Sequence, residues 1–324
     1  MTDHERILAA YFQLMNFNGA AHVYREAVRS GLLPALLGGA KSAAELAEEC
    51  GTATKPTPLL LDVLVALGLA EKEGAQFRGT MLAFMLLSGS YKNLGDEYWS
   101  HLPELLRTGE PLVKMDEPGT SEAHYQSQAA ALGWMLKAAA ERAAALLAAD
   151  LPPQSAILDV GAGSAIWSLT LARQKPDASV TAIDWPAVLA VADENAKAFG
   201  LQDRFTTIAG NYHEVPWPVG RFDLVILGNV THLETTDGNL SLFRSARTAL
   251  KPNGRLAIFD VFPGQPQGDL NRALYVLGLS LRTARGHVYS ACELQPLLRE
   301  AGFGESQLTP LDAHPYIVGM LAAR

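Results

Sequence analysis

Two cysteines, Cys50 and Cys292, are all that this 324-residue chain contains, and neither sits in a CxxC or Cys/His cluster. That excludes a disulfide framework and argues against a zinc site. Long apolar runs are missing too. The longest, Leu59–Ala70 and Met81–Leu87, are too short to span a bilayer, and Asp62 interrupts the first. Met1 to Arg6 is polar, so no secretory leader begins there and the cytoplasm is the expected compartment. Cations are in deficit, 26 Lys and Arg against 34 Asp and Glu, for a net charge of −8. A nucleic-acid backbone is therefore not an expected partner. What is present is a globular composition, 48% hydrophobic and 19% charged, in a chain long enough for a main domain plus a smaller one.

The most informative stretch runs from Ala156 to Trp167. A short apolar run carrying Asp159 meets Gly161 and Gly163, and a helical pattern follows to about Arg173. This spells strand, tight turn, helix. Glycines without a Cβ let the turn bend sharply and let a ligand approach the backbone, and free N–H groups at the helix start favour an electronegative partner. The dinucleotide fingerprint needs a third glycine three residues after the second. That position is Ile166, so the fingerprint fails. An acid at Asp159 suits a cationic, amine-bearing ligand better than a pyrophosphate. S-adenosylmethionine (SAM), with its ammonium and sulfonium, is such a ligand; an ordinary β–turn–α corner is the alternative.

The chain before this corner reads as helical. Ile7, Leu8, Tyr11, Leu14 and Met15 recur at three- and four-residue steps, and residues 4–37 form helices with a stop at Gly31. Ser42 and Glu45 match a capping box that opens a helix over Ala43–Glu49. Thr57-Pro58 is expected to cap Leu59–Leu67, and residues 69–78 read as two strands around Gly74. Helix, helix, hairpin is a winged-helix layout, which raises a DNA-binding metabolite sensor as a rival function. From Lys41 to Thr80, however, there are four basic residues against six acidic, and Leu59–Leu67 holds no Lys or Arg. Phosphate contacts need several cations, so packing or dimerisation fits this region better. Residues 91–128 carry Tyr91, Tyr98, Trp99, His101, Pro103, His124 and Tyr125, which suit either a pocket lining or connecting helices. An alanine-rich helix is expected over Ala129–Ala149.

After the corner, strands alternate with helices. Strands are expected at Val180–Ile183, Phe205–Ile208, Leu224–Leu227 and Arg255–Phe262, with two more near Leu308 and at Ile317–Leu321. Helices are expected at Val188–Phe199, Leu240–Leu250 and Leu294–Ala301. Such alternation means a mostly parallel α/β sheet, with ligands bound beyond the carboxyl ends of its strands. The strand ends supply the candidates: Asp159, Gly161 and Gly163 after the first strand, Asp184 and Trp185 after the second, Gly210, Asn211 and Tyr212 after the third, and Gly228 and Asn229 after the fourth. Asp184 can accept both ribose hydroxyls, Asn211 offers a donor and an acceptor to an adenine edge, and Tyr212 and Trp185 can cover ring faces. His232, following the fourth strand, is a candidate base at neutral pH. Asp260 can orient it if the two strands are neighbours. Of the other histidines, His4, His22 and His314 carry no expected chemistry, His213 adjoins the adenine-edge candidates, and His287 is kept as a second site candidate.

With these residues in place, the chain resembles the bacterial small-molecule SAM-dependent O-methyltransferases related to the acetylserotonin and caffeate enzymes. The resemblance spans nearly the whole chain. It runs through Leu158–Gly163, Asp184-Trp185-Pro186, Gly210-Asn211-Tyr212, Asn229–His232, Ala249–Arg255 and Glu300–Phe303. It implies a seven-stranded, mostly parallel Rossmann-like domain over 101–324, with connecting helices at 101–150, and a winged-helix dimerisation domain over 1–100. It also implies SAM as cofactor and contacts at Gly161, Asp184, Asn211 and Tyr212, with backbone near Gly228 and Asn229. His232 would be the general base, Asp260 the acid beside it, and a homodimer the assembly. The methyl acceptor would be a small, aromatic or polyketide-like hydroxyl compound, with transfer to carbon of an enol or phenol ring as the alternative. The chain departs from the family pattern at Ala165, where a third glycine is usual, at Asn211, where aspartate is common, and at Leu233, where many relatives have Asp-Trp. A second acid near the base in plant relatives has no counterpart, since Val288 falls there.

Overall fold

The computed structural model describes residues 1–88, 92–263, 269–311 and 318–324; Tyr91, His314 and Ile317 lie outside them. The chain forms two compact units, Met1–Glu97 and Tyr98–Arg324.

In the first unit a 27-residue helix, Asp3–Arg29, starts at a Thr2/Glu5 capping box and ends at Ser30, ahead of Gly31 at φ +83°. The capping box at Ser42 and Glu45 opens Ala43–Glu49 as expected. Strands β1 (Lys41–Ser42), β2 (Ala70–Glu73) and β3 (Gln76–Gly79) make an antiparallel sheet in the order β1-β3-β2. Thr57 is not a cap. The helix Thr57–Ala66 has Pro56 at the cap position, and Thr57 Oγ1 donates to Ala53 O at 2.7 Å, inside the preceding turn. Leu33, Leu36, Leu46, Leu61 and Leu64 fill the core of this unit. The long helix contributes only its last turns to that core, Tyr24 and Ala27.

The second unit is built on β4 (Ala156–Val160), β5 (Ser179–Asp184), β6 (Phe205–Ala209), β7 (Phe222–Gly228), β8 (Leu250–Val261), β9 (Ser306–Pro310) and β10 (Val318–Ala323). Their order is β6-β5-β4-β7-β8-β10-β9, with β4 to β8 parallel and β10 antiparallel to both neighbours. This is the mixed α/β, seven-stranded sheet that the sequence implies. Near-continuous apolar runs such as Leu224–Leu227 are buried on both faces, as a helix-covered parallel sheet requires. The chain leaves β4 toward β5 on one side, and β7 lies on the other, so a crevice opens at the carboxyl end of β4.

Several helix boundaries shift, among them Thr236–Ala249, which starts ahead of the expected Leu240. The alanine-rich helix begins eleven residues early, at Pro118, and runs 31 residues to Ala148; its polar first turns hid it from an apolar-period reading. A helix at Leu270–Ser280, absent from the expectations, follows β8 and is capped by Asp269.

Candidate active site

The glycine corner is laid against its neighbouring strand. Ile183 O accepts from Gly161 N at 2.9 Å and Ala162 N at 3.2 Å, and Asp184 Oδ2 accepts from Gly163 N at 2.8 Å. Gly161 and Gly163 take φ of +62° and +57°. A Cβ on Gly161 would stand 2.6 Å from Val230 Cγ2 and 3.7 Å from Tyr212 Cε1, so β4, β6 and β7 converge on one point. Ala165 holds the third left-handed position at φ +54°, fully buried, a conformation that costs an L-residue about 1–2 kcal/mol.

Around the corner stand buried acceptors short of donors. Asp159 is fully buried. One oxygen accepts from Ser168 Oγ at 2.5 Å, and the other, Oδ1, has no partner among the described residues. Burial pushes its carboxyl up to about 7, against the opposing pull of Ser168. Asp184 is pushed up to about 6 by burial, although Gly163 N and Trp185 N both donate to it. Asn229, at φ +60°, has a buried Oδ1 without a donor among the described residues, while its backbone N–H bonds Phe259 O at 2.7 Å. Orphaned buried acceptors are costly unless something brings donors to them. A ligand carrying an ammonium and hydroxyls beside the glycines fits this donor deficit, and SAM has both.

On the β6 side, Gly210 takes φ +138° and its N–H bonds Asp184 O. Asn211 is committed to its own loop: Oδ1 accepts from His213 N at 3.0 Å, and Nδ2 donates to Glu214 at 3.2 Å. Its carboxamide oxygen is therefore already engaged by that turn. Tyr212 lies against the corner and donates its hydroxyl to Glu234 at 2.7 Å; burial and the Glu234 carboxylate hold its phenol well above the ordinary range. Trp185 is half-buried at the cap of Pro186–Ala198.

One strand further on, His232 sits in a short turn, Thr231–Leu233, after β7. Strand β8 places Asp260 beside it, with Nδ1 and Oδ1 2.7 Å apart. Both residues are buried. Asp260 accepts three more hydrogen bonds, from Thr231 Oγ1 at 2.5 Å, His232 N at 3.2 Å and Val261 N at 2.8 Å. His232 Nε2 makes no hydrogen bond among the described residues. The Tyr275 ring meets the imidazole edge-on, centroids 6.0 Å apart.

His287 does not bring its ring to this site. Its backbone N–H bonds His232 O at 2.9 Å, but the imidazole is half exposed and pairs with Glu293 at 3.1 Å. Within 91–128, Tyr98 faces Arg282 at 5.9 Å and His101 bonds Glu110 O. His124 bonds Gln128 at 2.5 Å and is held below its ordinary pKa by burial and by the Arg282 cation.

A family model for the O-methyltransferase domain matches residues 99–304. The chain belongs to the O-methyltransferase family. This O-methyltransferase is similar to 3-hydroxy-5-methyl-1-naphthoate 3-O-methyltransferase of Streptomyces sahachiroi, 29% identical over 293 residues that cover 86% of this chain and 84% of that one. It is similar to mouse acetylserotonin O-methyltransferase, 30% identical over 302 residues, 83% of this chain and 77% of that one. In fold it matches human N-acetylserotonin methyltransferase solved with SAM, with a TM-score of 0.72 over all of this chain and 98% of that one at 22% identity. It is a SAM-dependent methyltransferase. Among its described residues no group of three or more His, Cys, Asp or Glu could hold a metal ion, and no helix is long and apolar enough to cross a membrane.

Several residues at this O-methyltransferase's site escape a sequence reading. Ser168 holds Asp159, Thr231 holds Asp260, Glu234 holds Tyr212 and His213, and Glu122 accepts from Ala187 N at 3.0 Å at the start of Pro186–Ala198. Only Ser168 leaves a trace, as one of two hydroxyls, with Thr170, in a buried and largely apolar helix.

Proposed function

We propose that this enzyme transfers a methyl group from SAM to a hydroxyl of a small aromatic or polyketide-like metabolite, with His232 as general base. The observation that carries the reading is the dyad. Asp260 accepts from Nδ1–H at 2.7 Å, which leaves the lone pair on Nε2. Three other donors hold Asp260 in place, so the imidazole keeps one tautomer and one orientation. The relatives that act on a hydroxynaphthoate and on acetylserotonin support an aromatic acceptor.

SAM supplies an electrophilic methyl on its sulfonium. The corner of Gly161 and Gly163 would let it approach the protein backbone, Asp159 and Asn229 would accept from its ammonium end, and Asp184 would accept from its ribose. Tyr212, Trp185 and Gly210-Asn211 border the adenine. His232 takes the acceptor's hydroxyl proton at Nε2 as the oxygen is aligned with the methyl group. Tyr275 walls the acceptor side. Calorimetry with SAM and an assay against hydroxynaphthoates, with the product's methyl located by NMR, test this. No SAM binding refutes it, and a C–CH₃ signal replaces the hydroxyl acceptor by a ring carbon.

Residues Met1–Glu97 form the dimerisation unit in this reading. On Asp3–Arg29, Ile7, Leu8, Tyr11, Phe12, Leu14, Met15 and Phe17 are exposed, Ile7 by 71% and Leu14 by 68%, an apolar density that marks an interaction surface. Light scattering should give twice the 34.8 kDa chain mass; a monomer refutes the dimer.

A further inference from the structure

Glu234 is an acid placed among the groups of this site, and the dyad chemistry does not use it. Its side chain is 13% exposed. One oxygen, Oε1, accepts from Tyr212 Oη at 2.7 Å and from His213 Nε2 at 3.0 Å. The other lies over Gly238, close enough that a Cβ there would collide with it. That oxygen is therefore seated at the start of Thr236–Ala249, where the helix dipole favours a negative charge. The Glu234 backbone is pinned as well, since Tyr289 Oη donates to its carbonyl at 3.0 Å.

These contacts join two loops that otherwise belong to different strands. Tyr212 and His213 follow β6, on the far side of β5 from the glycine corner. Glu234 follows β7 and lies two residues beyond His232. Trp217 Nε1 donates to Tyr212 O at 2.9 Å and holds the far side of the first loop. A helix-terminus role alone would use one oxygen and leave the other in water. Here the inner oxygen is turned toward the other loop and takes both its donors.

We infer that Glu234 is a positioning residue of the methyl transfer: it holds the Tyr212 ring against the Gly161 corner and ties the cofactor loop to the segment that carries His232. The inference rests on the reading of the glycine corner as the SAM site. Removing the carboxylate frees the Tyr212 phenol, and the ring loses its fixed place beside the cofactor. The loss falls on SAM affinity, while the acceptor's KM stays put.

The test measures SAM Kd by calorimetry, with kcat, the acceptor's KM and melting temperature, for the full-length wild type, E234A, E234Q, Y212F and E234A/Y212F. E234A and Y212F should each weaken SAM about tenfold, the size of one hydrogen bond to a charged group. The double variant should be no weaker than the weaker single, because both remove the same Tyr212–Glu234 contact. E234Q, whose amide oxygen still accepts from Tyr212, should recover most of the affinity lost in E234A. A lower melting temperature with SAM Kd unchanged in E234A overturns the inference, and so do single effects that multiply in the double variant. If E234A does not fold, Y212F decides, and an unchanged Kd there overturns it equally. A wild type that does not bind SAM overturns the cofactor reading and this inference together; a wild type that binds beside an unmoved E234A overturns this inference alone.

Discussion

Asp159 and Asp260 are two carboxylates buried near the carboxyl ends of one sheet, on β4 and β8 with β7 between them. Their surroundings are opposite. Asp260 accepts from Thr231, from His232 twice and from Val261, so the protein supplies every donor it needs. Asp159 accepts from Ser168 and keeps an oxygen with no hydrogen-bond partner among the described residues. Burial alone does not tell a structural acid from a functional one; the donor inventory does. A saturated carboxylate holds a neighbour still. A starved one is a vacancy for charge, and burial raises its pKa until a cation arrives.

Changing each member of this pair and its partner would sharpen the contrast. The largest effect belongs to the residue Asp260 serves. H232A should cost about 10²–10⁴ in kcat, the usual worth of a general base, with SAM affinity unmoved in calorimetry; unchanged turnover would remove the base role. Next comes D260N, which turns a donor toward donors. We expect kcat to fall about 10²-fold, by loss of the fixed tautomer, and stability to fall by about 1–3 kcal/mol in denaturant melts, because at least one buried partner goes unmatched. D159N should do the reverse. The ligand-free protein should melt no lower than wild type, since the amide carries no charge to desolvate, while SAM binds about tenfold more weakly for lack of the ionic partner.

The remaining effect is in pH. Asp159 moves from 3.8 to about 7 on folding, and Asp184 from 3.8 to about 6. Between those limits the folded protein binds more protons than the unfolded chain, so ligand-free stability falls as pH climbs through that window and levels off above it. SAM affinity should rise over the same interval, as the acids ionise against a cation. Both slopes should be shallower in D159N. A SAM affinity independent of pH from 5 to 8 would break the contrast between the two acids.

Much of this was legible in the chain because it is local. Asp159, Gly161 and Gly163 lie within five consecutive positions, and strand ends can be found from apolar runs followed by polar residues. The pairing of His232 with Asp260 needed one non-local fact, that β7 and β8 are neighbours. Other partners stayed hidden for the same reason. Glu234 meets Tyr212 across 22 residues, and Thr231 meets Asp260 across 29; no spacing rule announces either. The turn bonds of Asn211 were equally unannounced, because an asparagine after a strand can bond its own loop, and that local option is in use here. His287 misled because its neighbours Val288 and Tyr289 are buried and leave its ring outside with Glu293.

Strand β10 pairs with β8 on one side and β9 on the other, with Gly319 opposite Asp260. It is an inner strand although it comes last in sequence. A version of the chain stopped before Val318 would therefore not shed a fringe. It would strip one whole flank of β8 of its pairing and leave a raw ladder of N–H and C=O groups beside the dyad. Such an edge recruits strands from other molecules, so C-terminal truncates should aggregate, whereas an appendage placed after Arg324 leaves that slot filled.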